Sequence, residues 1–199
     1  MALLVTIFSD FTCPFSYVTE TALRKYAQRD GEVEVRYRAF ELFPAPTELP
    51  SPAEEPGWEA AVRPLADRLE LALMVPGFRP RTRKAHEAAR FAAERGLEER
   101  MRDAIFRAYW ADGRDIGRID VLTALIQPLG VDPVDLKIAL DIDQFEDTVA
   151  NDLHTARRLH IPGAPTLFIG TGPGAAILVG AQTPEALATA MRGAPTSAN

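Results

Sequence analysis

The sequence predicts an α/β fold in the order β-α-β, helical segment, β-β-α, and three observations carry that prediction. Short apolar, β-branched runs sit near the two ends of the chain, at about 3–9, 33–40, 166–170 and 176–179. Between about 58 and 160 the apolar residues recur at helical spacing. A stretch with neither period, from Leu42 to Gly57, carries Pro44, Pro46, Pro50, Pro52 and Pro56 and separates the first strands from the helices. The expected organisation is one split domain, 1–56 with 161–199, and an all-helical insertion over 57–160. A chain of 199 residues is long enough to bury a substantial core.

The elements follow in order. Leu3 to Ser9 is of strand length, and Pro14 to about Arg29 reads as a helix stopped at Asp30-Gly31. Val33 to Phe40 alternates apolar and polar residues, as a strand with one buried face does. Two strands around a helix make a βαβ unit, so a parallel pair with a right-handed crossover is expected. In the insertion, Ala85, Ala88, Ala89, Phe91 and Ala92 mark one helical face. Met101, Ile105, Ala108 and Tyr109 mark a second, and Ile119, Leu122, Ile126 and Leu129 a third ending at Gly130. Asp132-Pro133 is a cap followed by a first-turn proline, and Phe145, Val149, Leu153 and Ala156 line a further helix. Thr166 to Gly170 and Ala176 to Val179 form a hairpin around Thr171-Gly172-Pro173-Gly174. Thr183-Pro184-Glu185 caps the last helix, and a polar tail follows from Gly193.

Composition excludes several functions. The formal charge of −6 argues against general polyanion binding, which needs clustered Lys and Arg, so no nucleic-acid partner is expected. A single cysteine excludes an internal disulfide and a thiolate-rich metal site. The first apolar run is short and has no basic residue before it, so it reads as a strand rather than a signal peptide or membrane span. The expected compartment is the cytoplasm, with no membrane partner.

The chemistry gathers at Cys13. It sits where the first strand hands over to the first helix, next to Pro14, a residue suited to the first helical position. Unpaired backbone N–H groups and the positive end of the helix macrodipole favour thiolate there, so a depressed thiol pKa is expected. The competing reading is that of any lone cysteine, a small buried hydrophobe. His86, His154 and His160 lack metal-ligand spacing and read as surface or packing residues. The basic run Arg79 to Lys84 reads as a solvated loop and helix start, and Trp58, Tyr109 and Trp110 as packing residues, with a substrate wall as the sharper alternative. Pro165, just before an apolar strand, must stand at a strand start or edge. A cis Ala164–Pro165 bond there would expose the Ala164 backbone, and a trans bond is the ordinary alternative.

Several segments, in this order, match one family. They are Asp10 to Tyr17 (DFTCPFSY), Phe40-Glu41-Leu42, Thr82 to His86 (TRKAH), Gly113 to Ile116 (GRDI), Ile161 to Thr166 (IPGAPT) and Gly180-Ala181-Gln182. The chain resembles the DsbA-like branch of the thioredoxin superfamily, above all its FrnE-type dithiol-disulfide isomerases and 2-hydroxychromene-2-carboxylate isomerases. The resemblance implies a thioredoxin-like fold with an inserted helical domain and Pro165 in cis. It assigns catalysis to Cys13 and Ser16, and substrate binding to Pro14, Phe15, Ala164, Pro165, Thr166, Gly180 and Gln182. It implies no bound metal and no permanently held cofactor, with glutathione as a co-substrate. The implied partners are a protein or glutathione disulfide and, for the chain itself, a homodimer.

Two departures separate this chain from both branches. Redox members carry Cys-x-x-Cys, and Ser16 stands here at the second position; the isomerases carry Ser at the first, where this chain has Cys13. The ending Gly180 to Glu185 also lacks the Asp-Arg pair common in the isomerases. The leading expectation is a monothiol disulfide enzyme whose mixed disulfide an external thiol resolves. The alternatives are a glutathione-dependent isomerase or kappa-class-like transferase, and a non-catalytic thioredoxin-fold binding module.

Overall fold

A computed structural model describes residues 2–30, 32–51 and 57–194. Gly31 of the first helix stop, residues 52–56 of the proline-rich stretch and the tail from 195 lie outside the described residues. The chain runs β1 (Leu3–Ser9), α1 (Pro14–Asp30), β2 (Val33–Ala39), α2 (Trp58–Arg68), α3 (Arg83–Ala93), α4 (Glu98–Trp110), α5 (Ile119–Ile126), α6 (Pro133–Asp141) and α7 (Glu146–Arg158). It then continues through β3 (Thr166–Ile169), β4 (Ala176–Val179) and α8 (Pro184–Gly193).

The four strands form one sheet in the order β2-β1-β3-β4. β1 pairs parallel with β2, as the βαβ pattern predicts, and antiparallel with β3; β3 and β4 are antiparallel. This is the thioredoxin arrangement. β1 lies inside the sheet between β2 and β3, with Val5 and Ile7 fully buried. β4 lies at one edge and exposes alternate residues. The capping signals act as read: Asp132 accepts the Val134 N–H at 2.9 Å and Thr183 accepts the Ala186 N–H at 3.1 Å.

Two apolar cores result. One joins Val5, Ile7, Leu23, Leu167, Ile169 and Leu187 around the sheet and takes in Val62 and Ala66 of α2. The other fills the helical half with the faces of α3, α4, α5 and α6, and it also receives Phe11 and Tyr17 from either side of Cys13. Arg102 is buried near Phe11: it donates to both Glu20 oxygens at 2.8 and 2.6 Å and to Ser9 at 2.8 Å. Its guanidinium also lies 4.7 Å from the Phe11 ring centroid and 4.6 Å from that of Tyr37. One cation thus ties the end of β1, α1 and β2 to α4.

Candidate active site

Cys13 stands at the start of α1, where its carbonyl accepts the Tyr17 N–H at 3.2 Å and its own N–H bonds the Asp10 carbonyl at 3.2 Å. The Ala164–Pro165 peptide is cis. The Cys13 thiol donates to the Ala164 carbonyl across 3.2 Å, so the two segments singled out in the sequence meet at hydrogen-bond distance.

The expected thiolate is corrected by its surroundings. Cys13 is only 3% exposed, and this burial pushes its thiol from 9.0 up to about 11, against hydrogen bonds from the Ser16 side chain and the Ser16 and Phe15 backbones that favour thiolate. The nearby Asp10 carboxyl pushes the same way as burial. Helix-end donors are present as the sequence implied, but desolvation outweighs them. Cys13 therefore rests as a protonated thiol.

Asp10 holds the site together. Its carboxyl accepts the Thr12 N–H at 3.2 Å and the Leu42 N–H at 2.6 Å, and a hydrogen bond links it to the Thr82 side chain. It thereby joins the Cys13 loop to the segment after β2 and to the start of α3. Burial raises its carboxyl to about 6. Ser16 is buried beneath the loop, where its hydroxyl accepts the Asp10 N–H at 3.3 Å. His86 is a packing residue, as read: its ring lies 4.8 Å from that of Phe11, and its Nε2 lies 3.9 Å from Asp10. Burial, with Arg102, Arg90 and Arg83 nearby, holds its pKa well below the usual imidazole range.

A cavity of about 260 Å³ opens beside the thiol. Cys13, Pro14, Phe15 and Ala164 line it, together with Phe43, Trp58, Tyr109, Trp110 and Arg79. The aromatic wall is itself packed. Trp58 and Trp110 meet edge to face at 5.4 Å, the Trp110 indole N–H bonds the Phe11 carbonyl at 2.9 Å, and the Tyr109 hydroxyl bonds the Phe78 carbonyl at 2.9 Å. Packing and wall are here one role, since the same rings do both. The basic run is not solvated: Arg79 lies over Phe43 at 4.7 Å, Arg81 bonds the Phe43 carbonyl at 2.7 Å, Arg83 pairs with Glu41, and Lys84 pairs with Asp143. Charge density along the sequence concealed partners that lie far away in it.

Other residues assigned by resemblance stand back from the cavity. Thr166 is buried and its hydroxyl bonds the Gly163 carbonyl at 2.7 Å. Gly180, at φ 80°, ends β4 by donating its N–H to the Pro165 carbonyl at 2.9 Å. Gln182 donates its N–H to Thr19 at 3.4 Å and its side-chain amide to the Val179 and Gly180 carbonyls. These three brace the Pro165 segment and its surroundings. Among the described residues no cluster of three or more His, Cys, Asp or Glu is placed to hold a metal ion, and no helix is long and apolar enough to cross a membrane.

The chain is similar to known proteins in sequence and in fold. The chain is 31% identical over 185 residues to the uncharacterized protein YwbO of Bacillus subtilis, covering 88% of this chain and 92% of that one. The probable DsbA oxidoreductase SCO1869 from Streptomyces coelicolor superimposes with a TM-score of 0.79 at 26% identity, covering 95% of this chain and 88% of that one. A 2-hydroxychromene-2-carboxylate isomerase superimposes at 0.73 with 20% identity, over 94% and 91% of the two chains, and so shares the fold. Residues 4–192 match the DSBA-like thioredoxin domain, and with this fold and this junction of Cys13 and Pro165 the chain belongs to that family.

Proposed function

We propose that the protein is a monothiol thiol–disulfide oxidoreductase in which Cys13 forms a mixed disulfide that an external thiol such as glutathione resolves. The observation that supports this reading best is the Cys13 thiol at the start of α1, 3.2 Å from the carbonyl that precedes cis Pro165. The Cys13 sulfur attacks a disulfide R–S–S–R′ and forms Cys13–S–S–R. R′–S leaves and takes up the proton that Cys13 gave up. A second thiol, R″–SH, then attacks the R sulfur and releases R–S–S–R″, while Cys13 leaves and regains a proton. The enzyme undergoes no net oxidation. Ser16 carries no sulfur and cannot take the resolving part; its hydrogen bond to Cys13 favours the thiolate form at both steps.

A thiol pushed up to about 11 is also a poor leaving group, so the mixed disulfide should persist longer than one at a low-pKa cysteine. Incubation with oxidised glutathione, read by intact-mass spectrometry, should show one glutathionyl adduct that reduced glutathione reverses and that Cys13→Ser lacks. Absence of the adduct from the folded wild-type chain overturns the proposal.

A second reading, a glutathione-dependent isomerase or transferase on a small unsaturated substrate, is favoured by one observation. The resting thiol is protonated and enclosed beside an aromatic-walled cavity rather than presented as thiolate. Turnover of such a substrate that survives Cys13→Ser would select this reading over the first.

A further inference from the structure

We propose that the cleft where α1, α2 and α8 converge binds a phosphate chain, whether carried by a nucleotide or free as inorganic polyphosphate. The cleft encloses about 550 Å³, within the roughly 300–1,000 Å³ of small-molecule sites. It is separate from the thiol cavity, because its α1 residues Ala22, Lys25 and Arg29 lie about 14–24 Å from Cys13 at 1.5 Å per residue of helix. Ala22, Leu69 and Ala188 give it a buried, apolar floor. Its rim is charged.

Lys25 and Arg29 of α1, Arg68 of α2 and Arg192 of α8 stand around this floor, and Glu185 is the one carboxylate among the described residues that line it. The local balance is therefore +3 in a chain of net charge −6. Each of these arginines stands in the last turn of its helix, where a cation offsets the negative end of the macrodipole. That accounts for a base at each helix end, but not for the gathering of all of them around one cleft. The ends of α1 and α2 return only about half a negative charge each, which leaves the cleft at about +2. Neighbouring groups orient the cations. Lys25 Nζ donates to the Leu69 carbonyl at 2.9 Å, the Arg29 guanidinium lies 5.6 Å from the Tyr26 ring centroid, and Arg192 donates to the Thr189 hydroxyl at 3.3 Å. Arg68 pairs with Glu185, joining α2 to α8.

The cations select the ligand. Three of the four are arginines, whose paired N–H groups match the oxygens of a phosphate. A chain of phosphates carries enough charge to meet several of them at once, and the net charge of −6 keeps long nucleic acids from the rest of the surface. Glu185 limits the affinity, since it occupies Arg68 and repels the ligand.

Isothermal titration of the full chain with tripolyphosphate and with ATP, at low salt and without divalent cations, tests the proposal. One phosphate chain should bind per protein chain, at least about tenfold more tightly than orthophosphate or citrate, and about tenfold or more of that affinity should be lost as NaCl rises from about 50 to 500 mM. ATP that binds as tightly as tripolyphosphate supports a nucleotide as the source, and tripolyphosphate binding alone supports the free chain. Arg29→Gln with Arg192→Gln should weaken binding about tenfold or more. Glu185→Gln releases Arg68 and should tighten it about threefold or more, a gain that a misfolded chain would not show. Arg63→Gln, on α2 outside the cleft and paired with Glu59, should leave the titration unchanged, as should Cys13→Ser. Absence of saturable binding of both ligands overturns the proposal, as does orthophosphate or citrate binding equally well. So does a folded Glu185→Gln chain that binds no more tightly, or loss of binding in Arg63→Gln or in Cys13→Ser, the last of which would place the ligand in the thiol cavity.

Discussion

Thiolate absorbance against pH, taken as the difference between the folded wild-type chain and Cys13→Ser, follows a single sulfur, because the chain holds one cysteine. Burial moves that sulfur from 9.0 to about 11, a difference of about 3 kcal/mol between its two protonation states. At pH 7 the thiolate fraction is then roughly one in ten thousand, about a hundredfold below that of a thiol titrating at 9.0. A more basic thiolate is a stronger nucleophile, with a Brønsted slope of about 0.4–0.5 that returns roughly six- to tenfold. Alkylation at neutral pH should accordingly run about tenfold slower than for an exposed thiol, and slower again for lack of access. Its rate should climb about tenfold per pH unit up to the midpoint. Asp10→Asn removes a charge that opposes the thiolate and should move the midpoint down; Ser16→Ala removes a stabilising hydrogen bond and should move it up. In denaturant the midpoint should return to the ordinary range. A folded-state midpoint at or below about 8.5 would refute the reasoning, since the helix-end donors would then outweigh desolvation.

Three further outcomes follow from the same packing. Arg102→Met strands the Glu20 carboxylate in the core and should cost about 3–5 kcal/mol in urea unfolding, while adding Glu20→Met should recover most of the loss; a single-variant cost below about 1 kcal/mol contradicts this. His86 is held neutral, so the unfolded chain binds its proton below about 6.5 where the native one does not, and stability falls as pH drops from that point. Asp10 has the opposite sign: its folded value of about 6 lies above its ordinary 3.8, so its contribution is present below 3.8 and lost as pH rises through 6. His86→Phe should therefore flatten the acid limb between pH 7 and 5 relative to wild type, and an equally steep limb would count against a neutral His86. Asp132→Ala should cost about 1 kcal/mol through loss of the α6 cap, seen as a lower denaturation midpoint with an unchanged slope.

The sequence exposed what local chemistry dictates. The step from an apolar strand through Cys13-Pro14 to a helix, the alternation of β2, the caps at Asp132 and Thr183, and the alanine face of α3 all depend on near neighbours, and each is found in the fold. What it concealed depends on residues far apart in the chain. Cys13 shares its cavity with Phe43, Trp110 and Ala164, drawn from three distant segments, and no spacing rule around the cysteine contains them. The Arg79–Lys84 run looked solvated because its partners Glu41, Phe43 and Asp143 are remote in sequence. Arg102 and Glu20, 82 positions apart, carry no local mark of a buried pair. Asp10 stood inside the motif beside Cys13, but its hold on Leu42 and Thr82 belongs to the fold alone.

The sharing of Phe11 and Tyr17 between halves bears on how a ligand reaches the sulfur. Both residues flank Cys13 on the chain, yet both pack in the core formed by α3, α4, α5 and α6, and Trp110 grips the Phe11 carbonyl. A hinge that swung the helices away from the sheet would drag the thiol's own loop along with them and leave the cavity's depth unchanged. The connection between α2 and α3 forms another part of the wall, contributing Pro76 and Arg79, and exposes Met74, Val75 and Phe78. Tyr109 and Trp110 bond that connection at the Phe78 carbonyl and the Met74 N–H, and Arg79 and Arg81 fasten it to Phe43. The space beside Cys13 is thus bounded by α4, by this connection and by the segment after β2, three parts of the chain that meet only in the fold.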